Sequence, residues 1–165
     1  MTDNTLAKLY EHNNWANLQI IRACTALTDE QLDAEPQSAT KGTIRSTLLH
    51  LVGAQGGYLA LLTLPAEERP GRELAWDALE QSVTASGNGL LAVAKGELPL
   101  ACEGRLTTNN GYQVEPWVVM VQVINHATEH REQIKSMLTA LGITPPYVDG
   151  WAYGEVANAL VPVAS

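Results

Sequence analysis

The chain has 165 residues, 45% hydrophobic and 17% charged, enough to bury a core without disulfide or metal staples. Its formal net charge is −8, from 18 acidic and 10 basic residues with no local Lys/Arg cluster, so nucleic acid and anionic membrane surfaces are not expected partners. The two cysteines, Cys24 and Cys102, lie far apart and outside any CxxC, which gives neither a disulfide framework nor a cysteine-rich zinc site.

Four segments carry helical periodicity. The first covers residues 6–27, where Leu6, Leu9, Ala16, Ile20, Cys24 and Leu27 recur at spacings built from threes and fours. Thr28 and Gln31 then form a capping-box pattern that starts a short helical turn. Residues 36–42 read as a loop. A second helix over residues 43–62 carries Thr47, His50, Leu51, Ala54, Tyr58 and Leu61 on one stripe, and Pro65 and Pro70 end it. A third helix, residues 74–94, turns Trp76, Leu79, Val83, Leu90 and Val93 inward, with Gly87 and Gly89 weakening its middle by about 1 kcal/mol each.

The period changes between Cys102 and Pro116. Two short extended runs, residues 105–108 and 112–114, flank Asn109-Asn110-Gly111. Asn-Gly tolerates positive φ at both turn positions, so a small β-hairpin is expected. The fourth helix covers residues 116–141, opening on Pro116 and closing on Gly142, a suitable left-handed C-cap before Pro145-Pro146. The tail after Pro146 reads as irregular, with Trp151 and Tyr153 packing somewhere, and the chain carries no repeat and no low-complexity segment. The fold class expected is all-α, a single domain over residues 1–165 built on four helices with the length for a bundle. The start lacks the basic and apolar regions of a signal peptide, and the longest apolar run, Tyr58 to Leu64, is far short of the ~20 residues that span a bilayer, so the cytoplasm is the expected compartment.

The chemistry concentrates in the fourth helix. Its inward stripe reads as Val119, Val123, His126, His130, Gln133, Met137 and Leu141, with three successive polar places on a core seam. Buried polar groups need partners. His126 and His130 stand about 40° apart around the axis and about 6 Å along it, so their rings can converge on one metal ion. His50, on the stripe of the second helix, is the candidate from a facing helix; a hydrogen-bonded core histidine is the competing reading. Gln133 shares the face of His126 and is a candidate to orient a ligand or bound water. Arg131 projects about 140° from that seam, toward a surface or interface. His12 reads as a rim residue, Trp15 as packing, and Asn17 as pocket-lining or packing. Trp151 and Tyr153 could cap the mouth of the site.

Asn13-Asn14-Trp15-Ala16-Asn17, Leu48-Leu49-His50-Leu51-Val52 and Asn125 through Ile134 together resemble the DinB family, over residues 6–141. Glu132 and Glu129 stand where members often carry Gly and a further His. The resemblance implies a four-helix bundle with an up-down-down-up path, the hairpin lying between its third and fourth helices. It also implies a divalent metal on His50, His126 and His130, with zinc or nickel ahead of manganese, and a homodimer. Activities implied are thiol-dependent S-transfer, using a low-molecular-weight thiol and a small-molecule substrate, or metal-dependent hydrolysis. Three protein ligands leave coordination positions open, as catalytic sites do.

Two other readings stand beside it. A non-catalytic helical dimer could bind a metal or small molecule without turnover. His126-Ala127-Thr128-Glu129-His130 also matches the H-x-x-E-H zinc-peptidase pattern, with Glu129 as general base. That pattern has no need of His50. Among catalytic candidates, Glu129 and Gln133 are the residues the sequence offers.

Overall fold

The computed structural model describes residues 4–36, 42–71 and 73–163. It is mostly helical with one small two-stranded sheet. The elements in order are α1 (Thr5–Thr25), α2 (Asp29–Leu32), α3 (Ile44–Thr63), two 3-10 turns (Ala66–Glu68 and Trp76–Ala78), α4 (Leu79–Lys95), β1 (Leu106–Thr107), β2 (Gln113–Val114), α5 (Pro116–Ala140) and α6 (Gly150–Val156). Residues 37–41 of the expected 36–42 loop lie outside the described residues. None of the described helices is long and apolar enough to cross a membrane.

The helix ends follow local chemistry. Asn4 caps α1 by accepting from the Ala7 amide. Thr28 and Thr43 start α2 and α3 with capping boxes, closed by Gln31 and Ser46. Arg45 then ties α2 to α3, bonding Asp33 at 2.8 Å and Asp29 at 2.5 Å, and its guanidinium lies over the Trp76 ring. The third predicted helix is corrected at its start: Trp76–Ala78 is a 3-10 turn and the α-helix begins at Leu79. Gly142 adopts φ +74°, the left-handed conformation expected after α5.

The hairpin has a different turn from the one Asn110-Gly111 suggests. Gly111 alone in the turn takes positive φ, its amide donating to the Thr108 carbonyl at 3.1 Å, while the Thr108 amide donates to the Tyr112 carbonyl. This is a three-residue loop with a left-handed glycine, and it leaves Leu106 opposite Val114 and Thr107 opposite Gln113. The tail is corrected as well. Asp149 accepts from the Ala152 amide and nucleates α6, which packs on α1.

Two apolar clusters fill the interior. One holds Ile20, Ile21, Cys24, Leu48, Leu51, Val83, Ile134 and Leu138; the other holds Tyr10, Leu62, Leu90, Leu106, Val119 and Val123. Between them, on all four long helices, the buried residues turn polar: Asn13 and Asn17 on α1, Gln55 on α3, Ser86 on α4 and Arg131 on α5. Arg131 Nη1 donates to Asn13 Oδ1 and to Asn17 Oδ1, each at 2.7 Å. Asn17 Nδ2 donates to Gln55 Oε1 at 2.8 Å, and Gln55 Nε2 donates to the Ser86 hydroxyl and the Val83 carbonyl. The expectation that Arg131 faces the surface is overturned; it is only 3% exposed.

The glycines of α4 sit at close approaches. A Cβ on Gly87 would stand 2.6 Å from the Asn14 side chain, and one on Gly89 would stand 2.5 Å from Leu59. Their place in mid-helix therefore reflects how near α1 and α3 come to α4. Other inter-helix pairs include Arg22 with Glu80, Asn4 with Ala94, and Tyr10 with Met120.

Candidate metal centre

The seam predicted for α5 needs a shift of about one residue. Its buried line is Val119, Val123, Ala127, Arg131, Ile134, Met137 and Leu138. His126, His130 and Gln133 lie to one side of that line, half-buried, on the flank that meets α3. His50 is corrected too. It belongs to α3 but is exposed, standing at the edge of a buried face that runs through Ile44, Thr47, Leu48, Leu51, Val52, Ala54 and Gln55.

These three histidines nevertheless meet. His50 Nε2 lies 3.0 Å from His126 Nε2, and His130 Nε2 lies 3.1 Å from the same atom. The candidate ligand atoms all fall within 4.8 Å of one another. The rings stand tilted or edge-on to each other, with centroids 4.3 to 5.0 Å apart, so they converge on nitrogen and do not stack. Tyr58, two turns along α3 from His50, sets its ring edge-on to His126 at 5.7 Å.

Gln133 fixes the chemistry of one donor. Its Oε1 lies 2.7 Å from His130 Nδ1. An amide oxygen only accepts, so the proton of neutral His130 sits on Nδ1 and Nε2 presents its lone pair to the cluster. Each neutral imidazole carries one N–H, so three Nε2 atoms facing one another bring more lone pairs together than protons can bridge. A cation answers that arrangement. Nitrogens bound about 2.0–2.1 Å from one ion can stand about 3 Å apart, the separation of His126 Nε2 from each of the other two. The donor set therefore fits a divalent metal that favours imidazole.

The other sequence candidates fall elsewhere. Glu129 is exposed and has no hydrogen bond or ion pair among the described residues. Glu132 pairs with Lys135 at 2.8 Å, and Glu155, far along the chain on α6, is exposed. His50 supplies the third nitrogen that the H-x-x-E-H reading leaves unexplained. His12 is half-buried, its Nε2 bonding the Val148 carbonyl at 2.8 Å and its ring against Trp15 and Tyr153. Tyr153 packs on Trp15 with centroids 5.5 Å apart, and Trp151 is 75% exposed. Neither has a described contact with the three histidines. Asn17 is part of the buried polar layer.

A mostly helical fold with a solvent-open group of three histidines able to hold a metal ion is the class of protein these observations define. The chain belongs to the DinB family, whose model matches residues 1–160. A solved structure from Exiguobacterium sibiricum 255-15, classed with the DinB family, has a similar fold: TM-score 0.67 at 19% identity, covering 89% of this chain and 97% of that one. No curated protein matches the chain.

Proposed function

We propose that this protein holds one divalent metal ion on His50, His126 and His130 and uses it in catalysis, as a thiol-dependent S-transferase or a hydrolase. The observation that carries this reading is the convergence of three imidazole Nε2 atoms from two helices, one of them held in its ligating tautomer by Gln133. A divalent ion supplies Lewis acidity, lowering the pKa of a water or thiol beside it and polarising an electrophile. His50 is exposed and His126 half-buried, so the group lies within reach of a small substrate from solvent. Gln133 acts through His130 and is a positioning residue. Tyr58 walls one side of His126, its ring edge-on to the imidazole.

The same reading takes the four long helices as one up-down-down-up bundle. Pairs such as Gln55 with Ser86 and Leu59 with Gly89, which ascend together along α3 and α4, support that path. So do Arg22 with Glu80 and Asn14 with Gly87, which run in opposite senses along α1 and α4. It also takes the protein as a homodimer. Exposed Leu9, Trp117 and Val121 are apolar surface that a second copy would cover, and light scattering of the purified protein tests this.

Elemental analysis of the untagged protein and its His50→Ala variant, after dialysis against zinc, nickel or manganese, tests the metal site. One ion per chain, lost in the variant while helicity persists, is the expected result. Full metal retention without His50 refutes it. Turnover of an electrophile with a low-molecular-weight thiol, abolished by His130→Ala in a folded protein, separates the enzyme from a non-catalytic binder.

A further inference from the structure

A cleft of about 440 Å3 opens between α3, residues 69–71 and the hairpin, and reaches the histidines through Tyr58. Its floor is Gly57, Tyr58 and Leu61; one wall is the 69–71 segment and the other is the tip of the hairpin, including Asn109. Tyr58 belongs both to this floor and to the edge of His126, so the cleft and the three-histidine site share a wall. Its volume lies in the range of small-molecule sites, about 300–1,000 Å3.

Among the described residues that line this cleft, Arg69 is the charged one. Its Nε donates to the Leu64 carbonyl at 3.2 Å, and its Nη1 donates to the Thr107 carbonyl at 2.7 Å and to Asn109 Oδ1 at 3.4 Å. All three acceptors are neutral. Lys8, Arg22, Arg45, Lys95, Arg105 and Lys135 each have a carboxylate within ion-pair distance. Among the described residues only Arg131 and Arg69 are cations without one, and Arg131 is enclosed in the interior. In a chain of net charge −8 that leaves Arg69 as an accessible positive group, half-buried, held in place by neutral partners, with Nη2 outside those bonds. A guanidinium so arranged is preorganised for a planar anion, because the bonds that position it do not neutralise it.

We propose that this cleft is a carboxylate-binding subsite: Arg69 holds the carboxylate of a small organic acid whose remaining part lies along Tyr58 toward the three histidines. The assignment rests on the metal-site reading for its link to chemistry, but not for the binding of the anion itself.

The test is an NMR titration of the full-length protein, metal-free and zinc-loaded, with benzoate, its neutral isostere benzamide, and inorganic phosphate. Benzoate should move the Arg69 Nε–H and the amides of Gly57 and Asn110, and bind about tenfold or more tightly than benzamide. Arg69→Gln should abolish that preference, and Arg105→Gln, which alters an exposed ion pair, should keep it. Equal binding of benzoate and benzamide, shifts confined to another surface, or tighter binding of phosphate than of benzoate would each overturn the assignment. If Arg69→Gln loosens the hairpin that Arg69 braces, the wild-type comparison and the Arg69 Nε–H shift still decide. Zinc, nickel and manganese all failing to bind while benzoate still moves Arg69 refutes the metal site and supports the subsite; benzoate failing while a metal binds does the reverse.

Discussion

Gln133 Oε1 accepts from His130 Nδ1 at 2.7 Å, one turn along the same helix, and so commits the ring's other nitrogen to facing His126. Removing that acceptor frees the ring to change tautomer and to rotate. Gln133→Ala should weaken zinc binding about 10–100-fold, the usual effect of losing a ligand's hydrogen-bond partner. The metal-free melting temperature should change little, since Gln133 is only half-buried. Competition with a chelator of known affinity measures the first, and thermal unfolding the second. Unchanged zinc affinity would show that His130 needs no such anchor.

Arg131 exemplifies a buried charge kept by dipoles. Burial lowers its pKa to about 10, with Glu132 acting in the opposite sense, so the guanidinium remains protonated at neutral pH. Arg131→Met should destabilise the fold by roughly 2–4 kcal/mol, because Asn13 and Asn17 both lose their donor within the interior. Asn17→Ala, which strips one acceptor from the charge and one donor from Gln55, should cost about 1–3 kcal/mol. Urea unfolding of both variants checks this, and costs below half a kcal/mol would contradict the described network.

The glycines give a contrast of sign. Gly56 has nothing within 4 Å of a Cβ position, so Gly56→Ala should stabilise α3 by about 0.5–1 kcal/mol, roughly 1–4 °C in melting temperature. In Gly87→Ala the same propensity gain meets the Asn14 side chain at 2.6 Å, and overpacking of about 1–3 kcal/mol should reverse it. Calorimetry on the pair reads the difference directly.

The thiols differ in the same way. Cys24 is fully buried, and desolvation pushes its pKa up to about 12. Cys102 is exposed. Because the thiolate is the reactive form, a thiol reagent at pH 8 should titrate one cysteine in the native protein and two after denaturation. Rapid labelling of Cys24 in the native state would mean that the cluster around it opens easily.

Much of this architecture is legible in the chain. The capping pattern at Thr28, Pro116 at the start of α5 and Gly142 after it are local signals, and the structure follows them. What misleads is the choice between two neighbouring lines on α5. A line through His126 and His130 keeps Arg131 out of the interior, and charged residues are seldom buried without a partner. Here the partners, Asn13 and Asn17, lie more than a hundred residues away, where no local pattern reveals them. The histidine group was still found because spacing on one helix survives a small rotation of the whole face. The Arg69 cleft offers no such trace: three separate segments build it, and none carries a motif.

The polar layer has a consequence for how the helices choose one another. Leu, Val and Ile contacts above and below it are interchangeable enough that a helix could slide by a turn and still bury oil against oil. A slide of α1 by one turn, about 5.4 Å, would keep only one of the two asparagines at the guanidinium and set Leu9 or Ile21 in the other's place, so the cation would lose half its acceptors to hydrocarbon. Misaligned partners are thus rejected by a single mismatched rung, and the chain keeps one alignment that its apolar residues alone would not select.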